Sequence, residues 1–315
     1  MVTVLGVLRG LRPAAAGAAA LAVASCGGTT QVYSLDVPPT ILTPASNASI
    51  KDARARFREI YCAVQADHGA AFPYDRPCAN ALHRLGFELP PSGITVDLGP
   101  ARTPIHIVVI PGIFGECVEG IARPFEDAIE PLRRLGYKVT PLSVSGRSSS
   151  AANARDIARQ LAALPKEPGE KPLLIGYSKG SSDLIELIGG PDSAVIPAGS
   201  SVLSLAGVVA GTPIADGGER LYRRFWRIPF KACPPGDGGG VESLTRKHRL
   251  NYLAAHPLRS DLHYFSIAAF TDPANISSFL KSANAGLSKV DPRNDGNVIF
   301  HDAILPNSTL LGYVN

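Results

Sequence analysis

A serine flanked by two glycines directly after an apolar run is the feature that most constrains the fold of this chain. The apolar run covers residues 171–175, and Gly176-Tyr177-Ser178-Lys179-Gly180 follows it. Glycine tolerates tight backbone and lets a neighbouring chain approach closely, so this spacing is typical of a sharp strand-to-helix turn. Such a turn exposes the Ser178 hydroxyl and puts the Lys179 N–H at the start of a helix, predicted over residues 181–188, whose dipole favours an anion. The alternative is that two glycines surround a serine by chance.

A second strand and glycine turn point to the same chemistry. Residues 104–110 are typical of a buried strand and run into Pro111-Gly112-Ile113-Phe114-Gly115. In serine hydrolases built on such a sheet, this turn supplies one backbone N–H to the oxyanion, and the residue after the nucleophile supplies another. The expected donors are therefore Ile113 and Lys179, and one such donor typically contributes about 10²–10³ in rate. The alternative is a simple turn that ends a strand.

Because of these two motifs, residues 100–315 resemble the α/β-hydrolase family, and more narrowly its lipases and esterases. Strands predicted over residues 138–143 and 202–210 and a helix over residues 150–164 fit the family's order of elements. The second of these strands ends in Gly211-Thr212-Pro213, which is similar to the turn that opens the cap in many lipases. We therefore expect an α/β fold with a mostly parallel sheet, helices on both faces and a cap insertion.

The resemblance implies a catalytic acid after the penultimate strand, which is predicted over residues 263–270. Downstream, Asn294-Asp295-Gly296 is followed by an apolar stretch and is similar to the acid loop of bacterial lipases. Asp295 is the expected acid, which would orient an imidazole and stabilise its protonated form. Asn-Asp-Gly is also ordinary turn chemistry, so a surface aspartate is the alternative. Asp272 and Asp291 are lesser candidates for the acid.

The family's catalytic histidine normally follows the last strand, here predicted over residues 308–314. Only Asn315 follows that strand, so we expect the sequence to stop short of the histidine loop. His301 is the alternative base, although it lies before the last strand rather than after it. The identity of the base is therefore left open between these two sources.

The amino terminus predicts export. Arg9 and Arg12 precede an alanine-rich apolar stretch that ends in Val23-Ala24-Ser25-Cys26, which has the charge and length of a signal peptide. These last four residues resemble the lipobox of bacterial lipoproteins, which implies acylation of Cys26 and anchoring to a membrane. We expect a periplasmic or cell-surface lipoprotein, and Gly27 is compatible with an outer membrane if the host has one. The alternative is an ordinary secretory signal with a chance cysteine.

Cysteine content agrees with export, because four cysteines remain when Cys26 is set aside. An even number in an oxidising compartment allows two disulfides. Local spacing favours Cys62 with Cys78 and leaves Cys117 to pair with Cys233, while the other two pairings stay open. No Cys/His spacing has the form of a zinc site, and neither a metal nor another cofactor is expected.

Composition and periodicity divide the chain into four parts. They are the signal peptide and lipobox (1–26), a flexible tether rich in Gly, Thr, Pro and Ser (27–48), a helical accessory segment (49–98) and the hydrolase domain (99–315). The accessory segment is predicted to hold helices over residues 49–66 and 78–85. The cap is expected at about residues 213–262, where aromatic and arginine side chains either contact acyl chains or simply pack. A net charge of +4 with 18% charged residues does not favour a nucleic-acid partner.

Together these observations predict a serine carboxylic ester hydrolase that forms an acyl-enzyme on Ser178. The tether and the aromatic cap favour lipid or other hydrophobic esters as substrates. An acyltransferase or thioesterase would use the same site and is distinguished by whether an alcohol outcompetes water for the acyl group. A non-catalytic surface lipoprotein of the same fold is the alternative from another class.

Overall fold

A central eight-stranded sheet organises the computed structural model, which describes residues 49–71, 76–98, 104–113, 126–217 and 236–315. Its strand order is β1-β8-β7-β6-β5-β3-β4, every pair in this order is parallel, and β2 pairs antiparallel with β8. The strands are β1 Lys51–Asp52, β2 Leu82–His83, β3 Ile105–Ile110, β4 Lys138–Pro141, β5 Lys171–Tyr177, β6 Ser201–Leu205, β7 His263–Ala269 and β8 Thr309–Val314.

Helices connect these strands as the sequence predicts for an α/β fold. They are α1 Arg54–His68, α2 Cys78–Ala81, α3 Glu126–Arg134, α4 Ser150–Ala163, α5 Lys179–Gly189, α6 Pro213–Asp216, α7 Arg246–Ala255 and α8 Lys281–Leu287. Short 3₁₀ turns lie between several of them, including Phe300–Ala303. The mostly parallel sheet with its helices confirms the predicted fold class, and α4 and α5 match the helices expected around Ser178 in the sequence.

The two faces of β3 explain why its sequence is apolar throughout. Val108 and Ile110 are fully buried in a cluster with side chains of α4 and α5. Ile107 and Val109 point to the other face, where they pack with side chains from α3. A strand covered on both faces needs a continuous apolar run rather than an alternating one. Since β3 pairs with β5 in parallel, the turn after β3 brings Gly112 and Ile113 beside the end of β5, where Ser178 follows.

The accessory segment differs from its prediction at both of its helices. Residues 51–52 form a strand parallel to β8, so the first helix begins at Arg54 rather than Ser49. The Asp52 carboxylate accepts the Arg54 N–H at 3.1 Å at the start of this helix. The second helix ends at Ala81, because β2 pairs with β8 instead of continuing the helix. Both differences have the same cause, because residues 51–52 and 82–83 form backbone hydrogen bonds with β8 instead of joining a helix.

A disulfide joins Cys62 of α1 to Cys78 of α2 with a Cα–Cα distance of 5.2 Å, as the local spacing predicts. Cys26, Cys117, Cys233, the signal peptide, the tether and residues 218–235 of the expected cap lie outside the described residues. Within the part that is described, three or more His, Cys, Asp or Glu side chains never cluster as a metal site would require. None of the described helices combines the length and the apolar character needed to cross a bilayer.

Candidate active site

The backbone at Ser178 has the conformation that the glycine-flanked motif predicts. Its φ of 52° and ψ of −121° lie where a residue with a side chain is strained, at a cost on the order of 1–3 kcal/mol. Three hydrogen bonds hold it there: the Ser178 N–H donates to the Leu205 carbonyl, while the Ser178 carbonyl accepts from Ser181 and Val208, each at 3.1 Å. Strain that its surroundings impose in this way marks a functional position.

The glycines on either side of Ser178 are required by close contacts. A β-carbon on Gly176 would lie 2.7 Å from the Ser181 Cα. One on Gly180 would lie 2.7 Å from the Pro111 carbonyl oxygen and would also collide with the Ile110 carbonyl. Since real β-carbons do not approach backbone so closely, both positions exclude a side chain. The turn after β3 therefore packs directly against the first turn of α5, which argues against a chance pattern.

The two expected oxyanion donors lie next to Ser178. A β-carbon on Gly112 would stand 2.9 Å from the Ser178 Cβ, so the turn that carries Ile113 touches the serine. Lys179 is the first residue of α5, where backbone N–H groups have no acceptor within the helix. The Ile113 side chain is half-buried and packs on an apolar cluster of Val208, Ala215 and Leu244. Apolar packing thus holds the turn that carries the Ile113 N–H.

The Lys179 side chain is buried and forms an ion pair with Asp183 that was not predicted from the sequence. Its Nζ lies 2.7 Å from Asp183 Oδ1, and both side chains are 1% exposed. Asn153 of α4 donates to the other Asp183 oxygen at 2.8 Å. Burial raises the pKa of Asp183, while the Lys179 charge and the hydrogen bonds oppose that rise. The i, i+4 spacing of Lys179 and Asp183 was the signal available in the sequence.

Asp295 lies in the loop between α8 and the 3₁₀ turn Phe300–Ala303. Its Oδ1 accepts the N–H groups of Asn297 and Val298, both at 2.8 Å. Burial raises the pKa of Asp295 to about 6, although these hydrogen bonds act in the opposite direction. Burial also raises the pKa of Tyr177, and the charge of Asp295 adds to that rise. The carboxylate therefore lies within electrostatic reach of the residue that precedes Ser178.

Hydrogen bonds join the loops that follow β6, β7 and β8 at one edge of the sheet. Thr212, after β6, donates its hydroxyl to the Asn297 carbonyl of the Asp295 loop at 2.6 Å. Thr271, after β7, donates its N–H to the Asn294 carbonyl at 3.4 Å, and its hydroxyl to the Asn315 side chain. The loop of Asp295 and residue 315 therefore meet at the carboxyl edge of the sheet, where parallel strands place Ser178 as well.

The lesser acid candidates have other partners. Asp272 is exposed and accepts the Ala274 N–H at 2.8 Å, where it caps a 3₁₀ turn. Asp291 is fully buried and pairs with the equally buried Arg293 at 2.8 Å. A buried carboxylate in such a pair stabilises its own loop and is not available to orient an imidazole.

His301 is buried in the 3₁₀ turn that precedes β8. Its Nε2 lies 3.6 Å from Asp302 Oδ1, and its Nδ1 has no hydrogen-bond partner among the described residues. Burial lowers the pKa of His301, which favours a neutral imidazole. Asp302 in turn pairs with Arg246 of α7. Within the described chain, no hydrogen bond joins His301 to Ser178 or Asp295.

Two solved structures are similar to this chain. The first is a metagenomic carboxyl esterase, MGS0156, whose sequence is 39% identical to this chain. The matched region covers 89% of this chain and 85% of the esterase, with a TM-score of 0.80. The mature form of the lipase BlEst2 from Bacillus licheniformis shares the fold at 22% identity, with 70% of this chain and 86% of its own covered and a TM-score of 0.53. No family model matches the chain, and no curated protein matches it.

Proposed function

Because this chain belongs to the α/β-hydrolase family of esterases and lipases, we propose that it is a serine carboxylic ester hydrolase with Ser178 as the nucleophile. The observation that carries the proposal is the strained backbone of Ser178, which a glycine-lined turn fixes at the carboxyl edge of the sheet. A strained turn of this kind presents the serine oxygen to a substrate at the top of such a sheet.

In the proposed reaction, Ser178 Oγ attacks the carbonyl carbon of the ester while a base removes its proton. The Ile113 and Lys179 N–H groups donate to the oxygen that becomes negatively charged. The base then gives its proton to the alcohol oxygen, the C–O bond breaks, and the acyl group remains on Ser178. Water, activated by the same base, adds to the acyl group and releases the carboxylic acid. Asp295 orients the base and stabilises its protonated form.

We do not assign the base to His301, which lies beside Asp302 in place of Asp295. The Thr271 hydroxyl donates to the Asn315 side chain, and the Thr271 N–H donates to the Asn294 carbonyl of the Asp295 loop. The carboxyl end of β8 therefore lies beside the loop of the proposed acid.

The proposed substrates are lipid or other hydrophobic esters. The support is the apolar cluster of Val208, Ala215 and Leu244, which lies beside the oxyanion turn through Ile113 and next to Ser178 through Val208. The proposal includes export as a lipoprotein anchored through Cys26, and a cap over the crevice at about residues 213–262. Both follow from the sequence motifs.

Fluorophosphonate labelling of the purified protein tests this function. We expect one labelled serine, Ser178, and we expect Ser178→Ala to abolish both labelling and hydrolysis of p-nitrophenyl esters. Ser282→Ala, at an exposed serine of α8, serves as the matched control and should keep both. Labelling elsewhere would contradict the assignment, and acyl transfer to an added alcohol in preference to water would identify an acyltransferase.

A further inference from the structure

An extended segment without helix or strand, residues 85–95, lies across α1 and is fixed there through its backbone. We call this segment the strap. Arg54 of α1 donates to the carbonyls of Leu85 at 2.6 Å and Phe87 at 2.8 Å. Its guanidinium also lies over the Tyr313 ring of β8, 5.4 Å from the centroid. The start of the strap is thereby fastened to both α1 and the sheet.

Two further arginines of α1 hold the rest of the strap. Arg58 pairs with Glu88 at 2.8 Å, and the Glu88 side chain is only 3% exposed. Arg56 donates to the Ile94 carbonyl at 2.6 Å. Together these contacts order the strap backbone along most of its length, which costs conformational entropy that the charged hydrogen bonds offset.

This fixed backbone presents three large apolar side chains to solvent, beside the exposed polar side chains of Ser92 and Thr95. Phe87 is 79% exposed, Leu89 54% and Ile94 66%. Among large apolar side chains in the described part of the chain, these three and Phe279, at 65%, are the four most exposed. Single exposed apolar residues are common, but a group of them on a held segment marks an interaction surface.

The strap begins two residues after β2, which starts at the carboxyl edge of the sheet and runs antiparallel to β8, away from that edge. The Asn315 N–H donates to the Ala81 carbonyl at 3.2 Å, and the His83 Nε2 lies 2.8 Å from the Phe270 carbonyl. These contacts attach the chain to the sheet just before the strap begins.

We infer that Phe87, Leu89 and Ile94 dock the domain onto a lipid surface. The choice of partner rests on the proposed acylation of Cys26, from which 22 residues lead to Ser49, just before β1. Because 22 residues of random coil span about 25 Å on average, acylation of Cys26 would keep the accessory segment close to the bilayer. Arg84, whose side chain is 66% exposed, precedes the strap and lies 3.8 Å from Glu88, and its exposed guanidinium offers a cation to anionic headgroups.

Vesicle co-sedimentation of residues 27–315, which contain all eight strands and lack the acylated cysteine, tests this inference. The probes are vesicles of phosphatidylcholine alone and vesicles with added phosphatidylglycerol. We expect the triple variant Phe87→Ser, Leu89→Ser, Ile94→Ser to reduce partitioning at least about tenfold on both vesicles, because three apolar side chains no longer enter the interface. Leu135→Ser and Leu250→Ser, at residues 44% and 41% exposed elsewhere, form the matched control and should partition as the unsubstituted chain does.

Unfolding curves recorded by circular dichroism establish that both variants are folded before partitioning is compared. Equal partitioning of the triple variant and the unsubstituted chain would overturn the inference. So would a dimer that the triple substitution converts into a monomer, since the surface would then serve a second copy of this chain. If the proposed function is wrong, Ser178 will not be labelled by the fluorophosphonate, whereas partitioning onto vesicles will be unchanged. The two failures can therefore be distinguished.

Discussion

Gly112 lies so close to Ser178 that a β-carbon on the glycine would stand 2.9 Å from the serine Cβ. We therefore expect Gly112→Ala to displace either the nucleophile or the turn that carries the Ile113 N–H. Loss of one oxyanion donor lowers the rate by roughly 10²–10³-fold, and we expect a fall of that order in kcat for p-nitrophenyl butyrate. Steady-state kinetics with the two proteins measure it.

The control for this substitution is Gly286→Ala in α8, where a β-carbon would meet nothing within 4 Å. Its kcat should equal that of the unsubstituted protein. An unchanged kcat in Gly112→Ala would show that the turn after β3 is not part of the site.

Asp295→Asn should make the protein more stable above about pH 6 while it removes activity. The carboxyl group of the unfolded chain has its ordinary pKa of 3.8, and burial raises the pKa of Asp295 in the folded protein to about 6. Below pH 3.8 both states are protonated. As the pH rises towards 6 the folded state must ionise at a cost, so the wild type loses stability over this window. Asparagine has no such cost, and its side-chain oxygen can still accept from Asn297 and Val298.

We expect the gain in unfolding free energy to be about 1–3 kcal/mol at pH 8 and close to zero near pH 3. Urea unfolding at the two pH values measures it. Asp272→Asn, at an exposed carboxylate nearby, controls for the loss of one negative charge and should show no such difference. A gain of equal size at both pH values would contradict the burial argument.

The buried pair of Lys179 and Asp183 should show strong coupling. Asp183→Leu leaves the Lys179 ammonium without its counter-ion in the interior, and we expect a loss of about 3–5 kcal/mol in unfolding free energy. Lys179→Met should cost a similar amount for the converse reason. The double variant should recover most of the loss, because no unpaired charge remains. A double-mutant cycle by urea unfolding measures the coupling, and additive losses would rule out a mutually dependent pair.

Cys26 should carry acyl chains in the protein exported by a host that processes lipoproteins. Mass spectrometry of the amino-terminal peptide is expected to show a lipid-modified cysteine as the first residue. Cys26→Ser should leave an unprocessed or unanchored form, whereas Cys62→Ser should still be anchored. An unmodified amino terminus at another residue would reject the lipobox interpretation.

The strand, serine and helix around Ser178 could be predicted because their signals are local. Apolar runs, two glycines and helical periodicity all lie within residues 171–188, and they reflect backbone sterics that act over a few residues. The pairing of Cys62 with Cys78 was favoured for the same reason. The accessory helices were placed wrongly at Ser49 and at residues 82–85, because pairing with β8 depends on a strand more than 200 residues away.

The sequence by itself determined the fold class, the serine turn and the residues expected around it. Only the tertiary structure decided what surrounds them: the contact of Gly112 with Ser178, the burial that raises the pKa of Asp295, and the partners of His301. It also brought apolar side chains of the strap to the surface through arginines of α1. The physical reason is range, since backbone preferences act between neighbours in the chain, whereas burial, close contact and ion pairing arise between segments that folding brings together.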